Sequence, residues 1–311
     1  MKIGIIGCGA LGLVHARRFG RMDDVRVMAL SDPRPEAMER AAAELPHAPD
    51  VCRADDRDIL GAGLDAVCIA SPDGFHVRQV LDAFSAGLHV LCEKPLTLDP
   101  IELQTIIDAR DRSERVLALT YIRHYDSGVR RMREEIQSGK WGEVRRTAVY
   151  YAEDWLRSNI GTWRHQPDLC PGGVIYDAAC HQLDALLWTT GLEPEWAHAT
   201  INCCGTEVPI AAWGTGSLAG GVPLTFCLSG DAHIWREQVN VHCDATEFVL
   251  DNSHTFQVED GKLRPIQQDP SRETPDAAFV KHLRSEGPNW APAEAVRPLM
   301  RLSRMILGMD V

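Results

Sequence analysis

The sequence predicts an α/β fold whose N-terminal part is a doubly wound parallel sheet. Three observations support this prediction. A short apolar strand runs into a glycine-rich turn, an acidic residue ends the next strand, and strands then alternate with helices to about residue 120. After Tyr121 the alternation stops and strand-like segments follow one another, so a second domain of the α+β kind is expected.

The glycine-rich turn is the first of these features. Residues 2–6 predict a buried strand, and the sequence GCGALG at 7–12 follows at once, opening a predicted helix over residues 11–21. In this pattern Gly7 permits a tight turn, Gly9 lets the backbone approach a pyrophosphate, and Gly12 allows close packing of helix on strand. The free N–H groups at the helix start then face the phosphates. The candidate dinucleotide-binding residues of this turn are Gly7, Gly9, Ala10, Leu11 and Gly12.

The second strand, predicted over residues 25–30, is followed by Ser31 and Asp32. Asp32 lies 20 residues beyond Gly12, the spacing at which an acid accepts hydrogen bonds from the adenosine ribose. Its charge repels a 2′-phosphate, which favours NAD. Arg34 lies two residues on and softens that preference, so NADP is not excluded.

The alternation continues through a strand at 65–70, a helix at 77–86, a strand at 89–92, a helix at 100–112 and a strand at 116–120. Parallel sheets of this kind bind ligands beyond the carboxyl ends of their strands. Two strand ends are therefore candidate cofactor contacts, SPDGFH at 71–76 and EKP at 93–95. The residues selected there are Ser71, Pro72, His76, Glu93 and Lys94.

Composition excludes several classes of partner. The 311 residues carry a net charge of −12 without a concentrated basic face, which argues against nucleic acid. No apolar run reaches membrane-spanning length, and the glycine pattern explains the apolar N-terminus better than a signal peptide does. The ten cysteines show no CxxC pair, and most lie in strand-like runs, as free thiols of a cytoplasmic protein do.

The stretch GGVIYDAACHQLD at 172–184 carries titratable groups within an apolar run. On one continuous helix, Asp177, His181, Asp184 and Trp188 fall within a sector of about 60°. An Asp-x-x-x-His pair is more often structural than catalytic, but a nicotinamide site in the same chain reverses that preference. Cys180 points away from His181, which argues against a Cys–His nucleophile. No third ligand has convincing spacing for a metal.

Five motifs in this order resemble the Gfo/Idh/MocA family of oxidoreductases: GCGALG, SPDGFH, EKP, GTWR at 161–164 and the 172–184 stretch. The resemblance implies a Rossmann domain over residues 1–120. It also implies an α+β domain over residues 121–311 with an open, mostly antiparallel sheet. In the family this second domain supplies the substrate pocket and often the oligomer interface. We expect the last helix, at 293–307, to pack back near the first domain.

The resemblance also implies residue roles. His181 corresponds to the family's general acid/base, Asp177 to its partner, and Lys94 to the lysine that contacts the reacting oxygen. The role of Asp184 stays open between orienting His181 and supporting another group. Candidate substrate residues lie around the WR pair, in the segment Arg123–His124–Tyr125 and in the irregular GDAHIWRE region. They are Arg123, Tyr125, Trp163, Arg164 and Trp235.

Three functions are compatible with this reading. The favoured one is an NAD-dependent dehydrogenase acting on the hydroxyl of a sugar, sugar acid or cyclitol, and working as a homodimer or homotetramer. A glycoside hydrolase that retains NAD is the second, and a non-catalytic dinucleotide sensor is the third. The presence of Lys94, Asp177 and His181 together argues against the sensor.

Overall fold

A computed structural model describes residues 1–266 and 273–310 of the chain. The chain divides into two compact units. The first comprises Met1–Thr120 and Thr274–Glu294, and the second comprises Tyr121–Glu273 and Ala295–Val311. Residues 267–272 and 311, which fall inside the expected second domain, lie outside the described residues.

The first unit is built on a six-stranded sheet in which all neighbouring strands run parallel. Its strands are β1 (Lys2–Ile6), β2 (Arg26–Ser31), β3 (Val51–Arg53), β4 (Ala66–Ile69), β5 (His89–Cys92) and β6 (Leu117–Leu119). The order β3-β2-β1-β4-β5-β6 reverses between β1 and β4, as in doubly wound folds that bind dinucleotides. This confirms the predicted fold class. The central strands are buried on both faces, which explains their continuous apolar runs.

Helices connect these strands: α1 (Ala10–Phe19), α2 (Pro35–Ala42), α3 (Arg57–Leu60), α4 (His76–Ser85) and α5 (Pro100–Ser113). The start of α5 shows how the sequence sets a boundary. Pro100 occupies the first helical position, and the Asp99 carboxylate accepts hydrogen bonds from Ile101 N–H and Glu102 N–H.

The second unit contains an eight-stranded sheet, ordered β14-β13-β12-β11-β7-β10-β9-β8. Its strands are β7 (Val144–Ala152), β8 (Pro194–Asn202), β9 (Ala211–Leu218), β10 (Val222–Ser229), β11 (Arg236–Cys243), β12 (Glu247–Asp251), β13 (His254–Glu259) and β14 (Lys262–Pro265). Among the described strands of this second sheet, only β7 and β10 pair in parallel, so the expected mostly antiparallel sheet is confirmed. The predicted hairpin turn is Asp260–Gly261, with φ values of +50° and +69°.

The remaining helices are α6 (Ser127–Gln137), α7 (Trp155–Ser158), α8 (Gly173–Asp177), α9 (Cys180–Thr190), α10 (Pro275–Leu283) and α11 (Val296–Ile306). Helix α9 packs on β7 and β11 and is flanked by α6 and α11. Helix α10 belongs to the first unit and packs on α1, whereas α11 belongs to the second unit. The expectation that the last helix packs back near the first domain stays a prediction, and α10 is the helix that belongs to the first unit.

The 172–184 stretch is two helices and not the single helix assumed from its sequence. The Val174 carbonyl oxygen accepts both Ala178 N–H at 3.1 Å and Ala179 N–H at 2.8 Å, which interrupts the regular ladder at the end of α8. Helix α9 then begins at Cys180. His181, Asp184 and Trp188 share α9, but Asp177 does not, so the common sector predicted for all four residues is wrong.

None of the helices among the described residues combines the length and apolar character needed to cross a bilayer. All ten cysteines lie within the described residues and are free thiols.

Candidate active site

The glycine turn joins β1 to α1 and brings the helix directly onto the strand end. Gly7 has φ +85°, a left-handed conformation that favours glycine. A Cβ on Gly12 would lie 1.9 Å from the Gly7 carbonyl oxygen. Glycine is thus required at Gly7 by backbone conformation and at Gly12 by close packing.

The start of α1 has the features of a phosphate-binding helix. Its first hydrogen bond runs from Leu13 N–H to the Gly9 carbonyl oxygen at 3.0 Å. The N–H groups of Ala10, Leu11 and Gly12 precede that bond, where a helix offers no internal acceptors. The nearest atom to a Cβ built on Gly9 is Arg34 Nη2 at 3.8 Å, so the backbone is open to a close approach. This turn fits the pyrophosphate of a dinucleotide.

Asp32 follows β2 and is buried beside the turn. Its Oδ2 accepts Cys8 N–H at 2.9 Å, and its Oδ1 accepts Arg34 N–H at 2.9 Å and Arg34 Nε–H at 3.1 Å. Burial alone would raise the pKa of Asp32, but the hydrogen bonds from Arg34 and Cys8 lower it below its ordinary value. An ionised acid is therefore held where a ribose is expected, with a cationic side chain next to it.

The loop after β4 is tied to the loop after β5 by His76. Its Nδ1 lies 2.7 Å from the Pro95 carbonyl oxygen and its Nε2 lies 2.9 Å from the Ser71 carbonyl oxygen. Burial lowers the pKa of His76, although the two carbonyl oxygens oppose that shift. His76 is buried and holds the two loops together, whereas Ser71 and Pro72 are partly exposed beside it.

Glu93 is the central group of the EKP turn. Its Oε1 lies 3.0 Å from His15 Nε2, and its Oε2 accepts Thr120 Oγ1–H at 2.6 Å and Lys94 N–H at 3.2 Å. Burial alone would raise the pKa of Glu93, but the His15 hydrogen bond and charge, together with Lys94 and Thr120, bring it down to about 2. The adjacent Lys94 is partly exposed, and the Lys94–Pro95 peptide bond is cis.

His15 and Asp276 form a buried pair that the sequence analysis did not identify. His15 Nδ1 lies 2.6 Å from Asp276 Oδ1, and Arg18 Nη1 donates to Asp276 Oδ2 at 3.0 Å. A signal for His15 was available, because it lies three residues after Gly12 and so shares the inward face of α1. Asp276 gave no such signal, since 261 residues separate it from His15.

In the second unit, Asp177 ends α8 as a buried carboxylate. Its Oδ2 accepts Trp155 Nε1–H at 2.9 Å and Arg164 Nε–H at 2.8 Å. The Arg164 guanidinium also stacks over the Trp163 ring, 4.4 Å from its centroid. The structure thus brings Asp177, Trp163 and Arg164 together, and it gives Arg164 a charged partner that the sequence did not suggest.

His181 lies in the first turn of α9 and is partly exposed. The neighbouring Cys180 is buried, and its Sγ donates to the Asp177 carbonyl oxygen at 3.2 Å. The thiol is therefore directed at the backbone where α8 ends.

Asp184 faces His124. Asp184 Oδ2 lies 3.0 Å from His124 Nε2, and the His124 ring stacks on Trp188 with centroids 4.1 Å apart. His124 is buried in the 3₁₀ turn Ile122–Tyr125, so this contact attaches that turn to α9. Asp184 thereby holds the segment next to the candidate substrate residues.

The other candidate substrate residues differ in exposure. Arg123 is buried and its guanidinium pairs with Glu237, which also accepts a hydrogen bond from Gln182. Tyr125 is buried as well. Trp235 is 44% exposed in the segment between β10 and β11. Aromatic surface is therefore available at Trp235, whereas Arg123 and Tyr125 lie beneath the surface.

Comparison with known families agrees with this architecture. Residues 1–121 match the oxidoreductase family with an NAD-binding Rossmann fold, and residues 129–249 match the GFO/IDH/MocA C-terminal domain. The chain therefore belongs to the Gfo/Idh/MocA oxidoreductase family, and its first unit is an NAD-binding domain.

Individual relatives are dehydrogenases of polyhydroxylated compounds. The chain is 33% identical to an inositol 2-dehydrogenase from Burkholderia multivorans over 61% of its length and 55% of the relative. It is 28% identical to a D-glucoside 3-dehydrogenase from Escherichia coli, over 61% of the chain and 54% of the relative. The chain thus matches little more than half the length of these curated relatives.

The fold is shared more widely. A levoglucosan dehydrogenase solved with NADH and levoglucosan superposes with a TM-score of 0.86 at 18% identity, covering 99% of this chain and 96% of that one. A UDP-N-acetylglucosamine 3-dehydrogenase from Acidithiobacillus ferrooxidans superposes with a TM-score of 0.82 at 22% identity, covering 99% and 97%. At these identities the likeness concerns the fold.

The titration of Glu93 and His15 predicts how pH changes the stability of the first unit. Glu93 has a folded pKa of about 2 against an ordinary 4.5, so its contribution is present above pH 4.5 and is lost as pH falls towards 2. Burial alone would lower the pKa of His15, but the charge of Asp276 and its hydrogen bond raise it well above 6.5. Its contribution is complete below 6.5 and is lost as pH rises through the folded value.

We therefore expect urea denaturation to show a maximal contribution of this pair between pH 4.5 and 6.5. Glu93→Gln removes the carboxyl that titrates, so the variant should lose less stability than the unmodified protein as pH falls below 4.5. If the two proteins lost the same stability as pH falls below 4.5, the titration assigned to Glu93 would be contradicted.

Proposed function

We propose that this protein is an NAD-dependent dehydrogenase acting on a hydroxyl carbon of a sugar, sugar acid or cyclitol. The observation that carries the proposal is the glycine turn with Asp32 beside it, where open backbone and an ionised acid suit a dinucleotide. The relatives named inositol 2-dehydrogenase and D-glucoside 3-dehydrogenase support the substrate class.

Bound NAD supplies an acceptor for the hydride that leaves the hydroxyl carbon. The chain must remove the hydroxyl proton, and we assign that task to His181, since imidazole exchanges protons near neutral pH. Asp177 is assigned to orient and stabilise the imidazolium that forms. The Lys94 ammonium is assigned to stabilise negative charge on the reacting oxygen.

Arg164 supports the role given to Asp177. A guanidinium 2.8 Å from Asp177 Oδ2 favours the ionised carboxylate, and Trp155 Nε1–H adds a donor to the same oxygen. Both contacts restrict the orientation of the carboxylate. A carboxylate held in one orientation suits the role proposed for Asp177 beside His181.

Substrate contacts are proposed on the same grounds. Trp163 and Trp235 are partly exposed and offer aromatic faces for the apolar side of a polyhydroxylated ring. Arg164 is proposed to contact the substrate at the edge of Trp163. Arg123 and Tyr125, which are buried, are proposed to shape the site from below.

Assembly is proposed to use one face of the eight-stranded sheet. Cross-strand register places Thr200, Trp213, Cys227 and Tyr150 in one row on adjacent strands. Trp213 is 46% exposed and Tyr150 is 40% exposed. An apolar row of this kind is suited to burial against a second copy, so we propose a homodimer or homotetramer.

A cytoplasmic location is proposed from the cysteines. All ten are free, including the exposed Cys52 and Cys227, and thiols persist in a reducing compartment.

The catalytic assignment predicts that His181→Ala lowers kcat by about two to four orders of magnitude, the usual contribution of acid–base catalysis. NAD affinity should change little, because the glycine turn and Asp32 lie in the other unit. Asp177→Asn and Lys94→Ala should also lower kcat. The assay follows reduced cofactor with a panel of sugars, inositols and aldonates. Full turnover in His181→Ala would refute its role, and sugar cleavage without net NADH would favour the hydrolase.

The cofactor assignment predicts tighter binding of NAD than of NADP. Asp32→Ala should narrow or invert the difference, since it removes the ribose acceptor and its repulsion of a 2′-phosphate while leaving Arg34 in place. Fluorescence titration with both reduced cofactors measures the two affinities. Equal affinities in the unmodified protein would contradict this role of Asp32.

The assembly proposal predicts a mass of two or four times 34.4 kDa by light scattering. Trp213→Glu places a charge in the exposed row and should shift the protein towards the monomer. Ile101→Glu is the matched control, because Ile101 is 76% exposed on α5 of the first unit and should leave the mass unchanged. A monomer at micromolar concentration in the unmodified protein would rule out this interface.

A further inference from the structure

An alternating chain of charges lies in the first unit beside the EKP turn, buried except for Arg18, whose side chain is 35% exposed. It runs from Arg18 to Asp276, from Asp276 to His15, and from His15 to Glu93, with contacts of 3.0, 2.6 and 3.0 Å. His15 is 1% exposed and Asp276 is 0% exposed. Burying several ionisable groups is costly unless each is paired, so the chain constrains three separate segments together.

The geometry determines the protonation of His15. Each ring nitrogen faces a carboxylate oxygen, and a neutral imidazole has only one N–H. A single N–H would leave a nitrogen lone pair directed at the other carboxylate. Two hydrogen bonds therefore require the imidazolium, which matches the raised pKa of His15. The other groups near the ring are Arg18 on the same helix and Cys68 on β4, whose thiol burial keeps protonated by raising its pKa.

The inner end of the chain reaches Lys94. With Oε1 held by His15, Glu93 directs Oε2 at Thr120 Oγ1 and at the Lys94 backbone N–H, 3.2 Å away. The Lys94 N–H also lies 3.2 Å from Thr120 Oγ1. The orientation of one carboxylate thus fixes the backbone from which the Lys94 side chain projects.

We infer that His15 is a positioning residue for Lys94: its imidazolium, held by Asp276 on α10, orients Glu93 and through it the EKP turn. The inference rests on the proposed function, because it takes Lys94 as the group that stabilises the reacting oxygen. Helix α10 contributes to this positioning as well, because its Asp276 supplies the second contact that fixes the His15 ring. A lysine displaced by about 1 Å from its productive position loses turnover by up to about a hundredfold.

Two substitutions of His15 distinguish a role in positioning Lys94 from a purely structural role. In His15→Gln the side-chain amide reaches as far as Nε2, so it can donate to Glu93 but not to Asp276. In His15→Asn the amide reaches only as far as Nδ1, so it can donate to Asp276 but not to Glu93. Each variant loses the imidazolium charge and one of the two hydrogen bonds, so their losses of stability should be similar.

We expect His15→Asn to lower kcat by about tenfold to a hundredfold, with the dissociation constant for NADH unchanged within about threefold. His15→Gln should restore most of the turnover. Arg17→Met is the control, because it breaks only an exposed ion pair between α1 and Glu44 and should leave kcat unchanged. Equally low turnover in the Asn and Gln variants would overturn the inference.

Amide hydrogen exchange at Lys94 provides a readout that needs no substrate. We expect exchange at this N–H to be about tenfold faster in His15→Asn than in His15→Gln, because only the former frees Glu93. Unchanged exchange in both would overturn the inference. Faster exchange in His15→Asn with full turnover would support the positioning of the EKP turn by His15. It would refute the role of Lys94 in the proposed function. If His15→Asn does not fold, Asp276→Ala tests the same positioning, because it removes the carboxylate that holds the His15 ring, and unchanged exchange at Lys94 there would overturn the inference.

Discussion

The burial of carboxylates constrains this structure more than any other polar interaction. A buried negative charge is tolerated only where hydrogen-bond donors surround it, and the donors come mostly from distant parts of the sequence. His15 and Glu93 are 78 residues apart, and Arg123 and Glu237 are 114 residues apart. Each pairing therefore fixes the place of a segment that local propensity leaves undetermined. Five acids among the described residues are buried in this way, Asp32, Glu93, Asp177, Glu237 and Asp276, and a sixth, Asp184, is buried against His124.

These carboxylates lie next to the groups that are proposed to act on ligands. Glu93 precedes Lys94, Asp177 ends the helix before the one that carries His181, and Asp32 contacts the glycine turn through Cys8 N–H. A reaction that needs groups held within fractions of an ångström benefits from such rigid support. Stability and function thus depend on the same hydrogen bonds, so most single substitutions here are expected to affect both.

Family membership and fold bear on different questions. The match to both family domains establishes the NAD-binding domain, and the solved dehydrogenases share the fold at about one residue in five identical. One of these enzymes is named for UDP-N-acetylglucosamine and the other for levoglucosan, so a single scaffold carries several specificities. Substrate specificity in this chain is therefore expected to depend on exposed side chains such as Trp163 and Trp235, and not on the buried carboxylates and their hydrogen-bond partners.

The sequence alone determined the elements whose signals are local. The glycine turn, the strands at 89–92 and 247–251, and the Asp260–Gly261 hairpin follow from spacing, apolar runs and turn chemistry, and the structure has them as predicted. It did not reveal β9, because a strand containing Gly214 and Gly216 has low propensity. In the fold, a Cβ on Gly214 would lie 2.0 Å from the His198 carbonyl oxygen, so glycine is required by the neighbouring strand. Tertiary structure alone likewise decided three other features. They are the break between α8 and α9, the pairing of Asp184 with His124, and the contact of His15 with Asp276. Periodicity reports which face of an element is buried, whereas the partner of a buried charge is chosen by what the fold brings within hydrogen-bonding distance.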